Sequence, residues 1–361
     1  MELSGFCKIE DIIAMNISKL LLPVFLSSII NFSSCSPRIA LDAPVITEAP
    51  APSAGIPDTP QSPKPGQNPP LALKISKGQL LNSENQKIQL KGMSLFWSQW
   101  APEFYNFETV KNLKEGWNIN IIRAAMAVEH DGYLENPQRE KEKVKKVIEA
   151  AIELDLYVIV DWHDHHAEDH LPEAKQFFAE IAREYGNHPN LIYEIYNEPL
   201  DVSWSNVLKP YHEEVIAAIR QHDKDNIIVV GTPKWSQRVD LAAQDPIEGE
   251  NIAYTLHFYA GTHKQELRDI ALTALRKGIA LFVTEFGTTN ADGDGPVYEE
   301  ETEEWFKFMN ANNLSWCNWS ITSKDESSAA LLPKTTPSGV NNEENISSSG
   351  KLVRAELLNK N

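Results

Sequence analysis

Cysteine is scarce: Cys7, Cys35 and Cys317 are the only three in 361 residues. They are too few and too scattered for a disulfide framework or a thiolate zinc site, so the fold must be held by burial. Basic residues are also in short supply. Thirty-three Lys and Arg stand against 51 Asp and Glu, a net charge of -18, which repels nucleic acid and anionic lipid and suits a neutral partner. A long apolar run is missing too. The one candidate, Leu20 to Ile30, reads LLLPVFLSSII, about half the length needed to span a bilayer.

With Lys19 before it and small residues leading to Cys35 after it, that segment has the three-part layout of a secretory signal. Glu2, Glu10 and Asp11 sit badly before a signal, which makes Met15 the natural start. Residues 1–34 are therefore read as an N-terminal extension and signal peptide. Phe32-Ser33-Ser34-Cys35 resembles a bacterial lipoprotein site at which Cys35 becomes the lipidated first residue, although Phe32 replaces the usual aliphatic residue. Residues 35–70 follow as a tether. Ten of the 22 prolines lie between 36 and 70, with almost no large apolar side chain to order a core.

From Leu71 onward, apolar runs alternate with amphipathic ones. Eight runs read as strands: Ile88 to Met93, Ile119 to Ala124, Tyr157 to Trp162, Leu191 to Tyr196, Ile227 to Val230, Ile252 to Phe258, Leu281 to Thr284 and Trp316 to Trp319. Helical spacing appears between them, as at Glu140 to Leu154 and Glu173 to Tyr185. Strands that are apolar throughout and separated by helices imply a parallel sheet covered on both faces, and eight such units predict a (β/α)8 TIM barrel. A doubly wound open sheet would show a glycine-rich phosphate turn, which Gly92-Met93-Ser94-Leu95-Phe96 is not. Leu73 to Ser76 with Leu80-Leu81 predicts a short N-terminal β-hairpin capping the barrel's bottom, so that 71–361 forms one catalytic domain. Cys317, inside an apolar strand, is expected to be a buried thiol.

Active sites of such barrels lie at the carboxyl ends of the strands. There the sequence delivers Arg123, Asp161-Trp162-His163, Asn197-Glu198-Pro199, His257-Phe258-Tyr259, Glu285 and Trp319. Two carboxylates across a pocket are the minimum equipment for cleaving a glycosidic bond. Glu198 and Glu285 are the candidates. Arg123, His257 and Tyr259 are expected to hold Glu285 ionised as nucleophile, and Asn197 to bond a sugar hydroxyl. Trp97, Trp100, Trp204, Trp235 and Trp319 fall at or after strand ends, where indoles can line a polysaccharide cleft. A histidine-rich stretch, His163 to His170, raises a zinc hydrolase as the rival reading. A catalytic zinc needs about three ligands and no carboxylate pair, so His165, His166 and His170 are read as exposed loop residues. A binding protein that has lost catalysis is disfavoured because both glutamates are kept.

These motifs, ordered as Leu90-Lys91-Gly92-Met93-Ser94, Arg123-Ala124-Ala125-Met126, Val160-Asp161-Trp162-His163, Ile195-Tyr196-Asn197-Glu198-Pro199, His257-Phe258-Tyr259, Thr284-Glu285-Phe286-Gly287 and Trp316-Cys317-Asn318-Trp319-Ser320, resemble glycoside hydrolase family 5. Within it they resemble the bacterial endoglucanases of subfamily 2. The resemblance implies a retaining endo-β-1,4-glucanase with Glu198 as acid/base and Glu285 as nucleophile. It further implies that Arg123, His163, Asn197, His257 and Tyr259 orient the pair and the sugar, with Trp319 beneath it. Trp100 and Trp235 then match stacking residues farther along the cleft, and Lys324 and Glu326 match contacts on the non-reducing side. Phe96 and Ala127 stand where some relatives carry His and Tyr. No metal or cofactor is expected. The expected partner is a β-glucan such as cellulose or mixed-linkage glucan, with xyloglucan and mannan as alternatives, and the chain is read as a monomer, exported and lipid-anchored at an outer membrane or cell surface, or else secreted.

Because the tether separates anchor from fold, Cys35→Ala should move the protein from the membrane fraction to the soluble one at unchanged specific activity. Unaltered partitioning in a fractionation assay would remove the lipid anchor.

Overall fold

The computed structural model describes residues 66–359. The signal, Met15, Cys35 and most of the proline-rich tether lie outside the described residues. The tether's final residues run along the barrel: Gly66 N–H bonds Ile152 O at 3.2 Å and Asn68 N–H bonds Asp155 at 2.9 Å.

β1 (Leu73–Ser76) and β2 (Gln79–Asn82) form the antiparallel hairpin, turning at Lys77-Gly78, both at positive φ. Then come β3 (Lys91–Leu95), α1 (Phe107–Trp117), β4 (Ile121–Ala127), α2 (Pro137–Glu153), β5 (Tyr157–His163), α3 (Leu171–Tyr185), β6 (Leu191–Glu194), α4 (Lys209–Arg220) and β7 (Ile227–Val230). After β7 the connection is made by two short turns, α5 (Pro233–Ser236) and α6 (Val239–Ala242), rather than by a long helix. β8 (Ile252–Tyr259), α7 (Gln265–Arg276), β9 (Ala280–Gly287), α8 (Glu299–Asn312), β10 (Trp316–Ile321) and α9 (Ser348–Leu358) complete the chain. Strands β3 to β10 close into a parallel barrel, with β10 pairing both β9 and β3. All eight predicted strands are present. β3 begins three residues later than its apolar run, because Ile88 still bonds Leu80 of the hairpin.

Strand side chains alternate between the inside of the barrel and the helix layer. One set, Ile121, Tyr157, Ile159, Ile192, Ile227, Val229, Ala253, Ala280, Phe282 and Cys317, packs with Leu73 and Leu80 of the hairpin as a dry lower interior. Leu90 joins this set and Cys317 is fully buried within it as a free thiol. The opposite set packs under the helices: Val158 and Val160 of β5 join Val144, Val147 and Ile148 of α2, and Phe177, Phe178 and Ile181 of α3. One step above the dry layer the interior becomes polar. Arg123, Asp161, Glu194, Thr255 and Thr284, all fully buried, continue the inward phase of their strands.

A register shift between β8 and β9 changes the phase at one point. Thr255 pairs with Phe282, but His257 pairs with Glu285, so β9 gains a residue over β8. Inward Ala280, Phe282 and Thr284 would otherwise leave Glu285 facing the helices; the irregularity turns Glu285 inward as well, a common use of a bulge.

The lower layer is structural and the upper one chemical. Ile159→Ala, in the dry layer, should cost about 2 to 5 kcal/mol of stability while kcat/KM per folded molecule stays unchanged. Chemical denaturation alongside steady-state kinetics would check both.

Candidate active site

Arg123 is the centre of the upper layer. Its guanidinium bonds Glu194 through Nε at 2.7 Å and Nη2 at 3.3 Å, Glu285 Oε2 through Nη1 at 3.1 Å, and Asn197 Oδ1 through Nη2 at 2.7 Å. Asp161 Oδ2 lies 2.9 Å from Nη2, and Ser94 accepts from Nη1 at 3.2 Å. Four strands therefore aim their polar groups at one cation. Asn197, taken as an acceptor by Arg123, keeps its amide N–H groups for another partner.

Glu285 receives a second bond, from the Tyr259 hydroxyl at 2.9 Å. Glu198 is held differently. Its Oε1 lies 2.9 Å from His257 Nδ1 and its Oε2 lies 3.3 Å from His165 Nε2. His257 was expected to serve Glu285; the structure gives it to Glu198, because Nδ1 faces the loop after β6. Its other nitrogen, Nε2, lies 2.9 Å from Thr284 Oγ1, and that hydroxyl lies 2.6 Å from Glu194 Oε1. Glu194 is ionised, since Arg123 and His257 outweigh its burial and lower its pKa, so the threonine hydroxyl must donate to it. Thr284 can then only accept from Nε2–H. The tautomer of His257 is thereby fixed, and its exchangeable proton lies in the bond to Glu198.

Burial disfavours the imidazolium of His257, but the bonds to Glu194 and Glu198 and the charges of Glu285 and Glu198 raise its pKa to about 9. Glu198 shows the converse. Burial would raise it, yet the hydrogen bonds and charges of His165 and His257 hold it down at about 2. Glu285 was expected to be lowered by its cationic neighbours. Burial and the charge of Glu198 outweigh His257, Arg123 and Tyr259 and push it up instead. The free site therefore stores one proton in the Glu198–His257 bond, on the imidazole.

His163 donates Nδ1–H to Asp161 at 2.7 Å and is kept neutral by burial and the nearby charges of Arg123, His165 and His257. Its ring stacks on Trp319 at 5.0 Å and 3° between planes. Trp319 also touches Phe96 at 5.2 Å and lies under Arg123, and is only 4% exposed. Trp97 packs edge-on to His163 at 4.2 Å and continues to Trp100 at 5.1 Å. Trp100 and Trp235 are 57% and 44% exposed, indoles offered to solvent on the rim. The turn carrying Trp235 has positive φ at Lys234, Trp235 and Ser236, and Ser236 anchors it by donating to Asn197 O at 2.8 Å. Lys324 pairs with Glu326 and lies over the Phe96 ring, and Ser328 donates to Glu326 at 2.6 Å.

Three further expectations are corrected. Trp204 is buried, bonding Asp245 O and packing on His212 and Tyr254, because a π-turn preceding α4 folds it inward. His165 is not an exposed loop residue but contacts Trp97 and Glu198. His170 is half-buried against Asp164 at 2.8 Å. Sequence reasoning also missed Glu194 and Thr284. Glu194 carried a legible signal, a lone carboxylate in the inward phase of Ile192. Thr284 carried none. A further unforeseen support lies beneath the Trp97–Trp100 loop: fully buried Glu140 accepts from Ser98 at 2.5 Å and from Lys143 at 2.7 Å, tying the loop to α2.

The model of the family described as "Cellulase (glycosyl hydrolase family 5)" matches residues 81–325. The chain belongs to glycosyl hydrolase family 5. Endoglucanase Z of Dickeya dadantii is 52% identical to this family 5 chain over 287 residues, covering 78% of this chain and 65% of that protein. An endoglucanase of Clostridium saccharobutylicum is 46% identical over 289 residues, covering 79% and 64%. The chain thus spans just under two thirds of the length of these curated relatives. Among solved structures, the catalytic domain of the Thermobifida fusca endoglucanase is 33% identical with a TM-score of 0.76, covering 80% of this chain and 97% of that one. A variant of that domain has been solved in complex with cellotetraose.

Thr284→Val removes the acceptor that favours charged His257. The basic limb of kcat/KM, set by loss of the stored proton near pH 9 in the wild type, should move to lower pH. The same linkage stabilises the fold fully below about pH 6.5, the ordinary histidine value, and fades as pH rises through the folded value. An unmoved limb in a pH–rate profile would reduce Thr284 to packing.

Proposed function

We propose that this chain is an endo-β-1,4-glucanase that hydrolyses internal β-1,4-glucosidic bonds with retention, in the manner of the subfamily 2 bacterial endoglucanases. The observation that carries the retaining reading is the closeness of the two carboxylates. Oxygens of Glu198 and Glu285 lie within 4.8 Å of each other and of a His257 nitrogen, near the roughly 5 to 5.5 Å of retaining enzymes and too close for the water that inverting enzymes admit at about 6.5 to 9.5 Å.

Glu285, aimed by Arg123 and Tyr259, attacks the anomeric carbon. Glu198 receives the stored proton from His257 Nδ1 and passes it to the departing glycosidic oxygen. The transfer also removes the negative charge that raises Glu285, so one proton sets both roles. In the second half, Glu198 takes a proton from water, which opens the glycosyl ester and regenerates Glu285. Asn197 offers its amide to a sugar hydroxyl, and His163 and Trp319 form the floor beneath the ring. Trp97, Trp100 and Trp235 supply stacking faces along an open cleft, which suits a polymer bound mid-chain. Lys324 and Glu326 serve the non-reducing side, where Phe96 leaves stacking rather than hydrogen bonding. The relatives' names support cellulose-type β-glucan as substrate. Export and anchoring through Cys35 rest on the sequence pattern; among the described residues no helix is long and apolar enough to cross a membrane.

Azide rescue assigns the two carboxylates. With an aryl glucoside whose leaving group needs no proton, Glu198→Ala should still form the intermediate and yield the β-glycosyl azide. Glu285→Ala should give the inverted α-azide. The reverse pattern would exchange the roles, and activity of Glu198→Ala,Glu285→Ala comparable to wild type on soluble cellulose would end the proposal.

A further inference from the structure

The proposed reaction leaves one cluster unused. Beyond the ends of β4 and β5 stand Glu129, Asp164, His166 and His170. Oxygens of Glu129 and Asp164 and a ring nitrogen of His170 all lie within 4.8 Å of one another. Asp164 Oδ2 is 2.8 Å from His170 Nδ1, and Glu129 Oε2 is 3.4 Å from His166 Nδ1. We propose that these four side chains bind a divalent transition-metal ion of the zinc(II) type, at a site separate from the glutamate pair.

The donor set argues for that class of ion. Two imidazoles and two carboxylates match the mixed nitrogen and oxygen preference of zinc, whereas calcium takes six to eight oxygens. Zinc bonds of about 2.0 to 2.2 Å put tetrahedral ligands roughly 3.4 Å apart, so the pairs at 2.8 and 3.4 Å need little movement. Only the separation between the two pairs must close.

One member of the site is buried and the others reach the surface. Asp164 is buried, with Oδ1 accepting from His166 N–H at 2.9 Å and Oδ2 from the Trp162 indole at 3.1 Å. These bonds are what an outer layer of a metal site provides, holding a ligating carboxylate in place. Glu129 and His166 are partly exposed, with side chains 46% accessible for His166 and 29% for Glu129, so an entering ion can reach them from solvent. Between Asp164 and His166 sits His165, which touches Glu198, so an ion here would fix the loop that carries it.

The test uses the full chain freed of metal by a chelator and titrated calorimetrically with zinc chloride. Wild type should show a saturable site of one ion per chain and a raised melting temperature. Glu129→Gln,His170→Asn should weaken binding by more than the roughly 10- to 100-fold that loss of an outer-layer partner costs. Unchanged activity of that variant on soluble cellulose would show it is folded. Glu285→Gln should bind zinc like the wild type. Loss of binding in Glu285→Gln would place the ion in the cleft and overturn the proposal. So would equal binding by the double variant, no saturable binding in wild type, or calcium binding as tightly as zinc. The hydrolytic proposal is read separately, because the metal-free protein should keep its turnover.

Discussion

Arg123 spreads one positive charge over Asp161 and Glu194, which are sealed from solvent with it, and over Glu285, whose side chain is only 5% exposed. A buried ion pair is worth little as a source of stability, but removing one partner from it typically costs about 3 to 5 kcal/mol because a charge is left stranded. The consequence here is chemical. One guanidinium faces three carboxyl groups, with Glu198 close by, so acidic groups are in excess of the cation that holds them. Burial and the charge of Glu198 lift the pKa of Glu285 above its ordinary value, and the bonds to Glu194 and Glu198 with the charges of Glu285 and Glu198 make His257 basic enough to keep a proton.

The chain Arg123–Glu194–Thr284–His257–Glu198 converts this excess into direction. Arg123 keeps Glu194 ionised, Glu194 orients the Thr284 hydroxyl, and the hydroxyl fixes which nitrogen of His257 carries a permanent hydrogen. Only Nδ1 is left to exchange with Glu198. Glu194 and Thr284 touch neither the cleft nor each other in sequence. They act by deciding where a proton waits.

Around this polar layer the molecule divides its work along the barrel axis. Below, aliphatic side chains and the hairpin exclude water; above, indoles are graded from nearly buried Trp319, through half-buried Trp97, to exposed Trp100 and Trp235. Burial near the carboxylates lowers the local dielectric and strengthens each bond there. Exposure at the rim leaves the aromatic faces of Trp100 and Trp235 open to solvent.

The sequence by itself determined the barrel, its eight strands, the capping hairpin and the residues gathered at the strand ends, because apolar periodicity and strand-end position are local properties. It also located Glu198 and Glu285, which directly follow or interrupt apolar runs. The tertiary structure decided which partner each glutamate received. His257 went to Glu198 rather than Glu285 because of where the β6 loop passes, and Glu285 faced inward only because β9 slips by one residue against β8. Trp204 was drawn into the core by a π-turn, and the histidines after β5 were divided among Glu198, Glu129 and Asp164. Register shifts, turn geometry and the balance of burial against charge arise between segments distant in sequence. No local pattern encodes them, so they become visible only when the barrel closes.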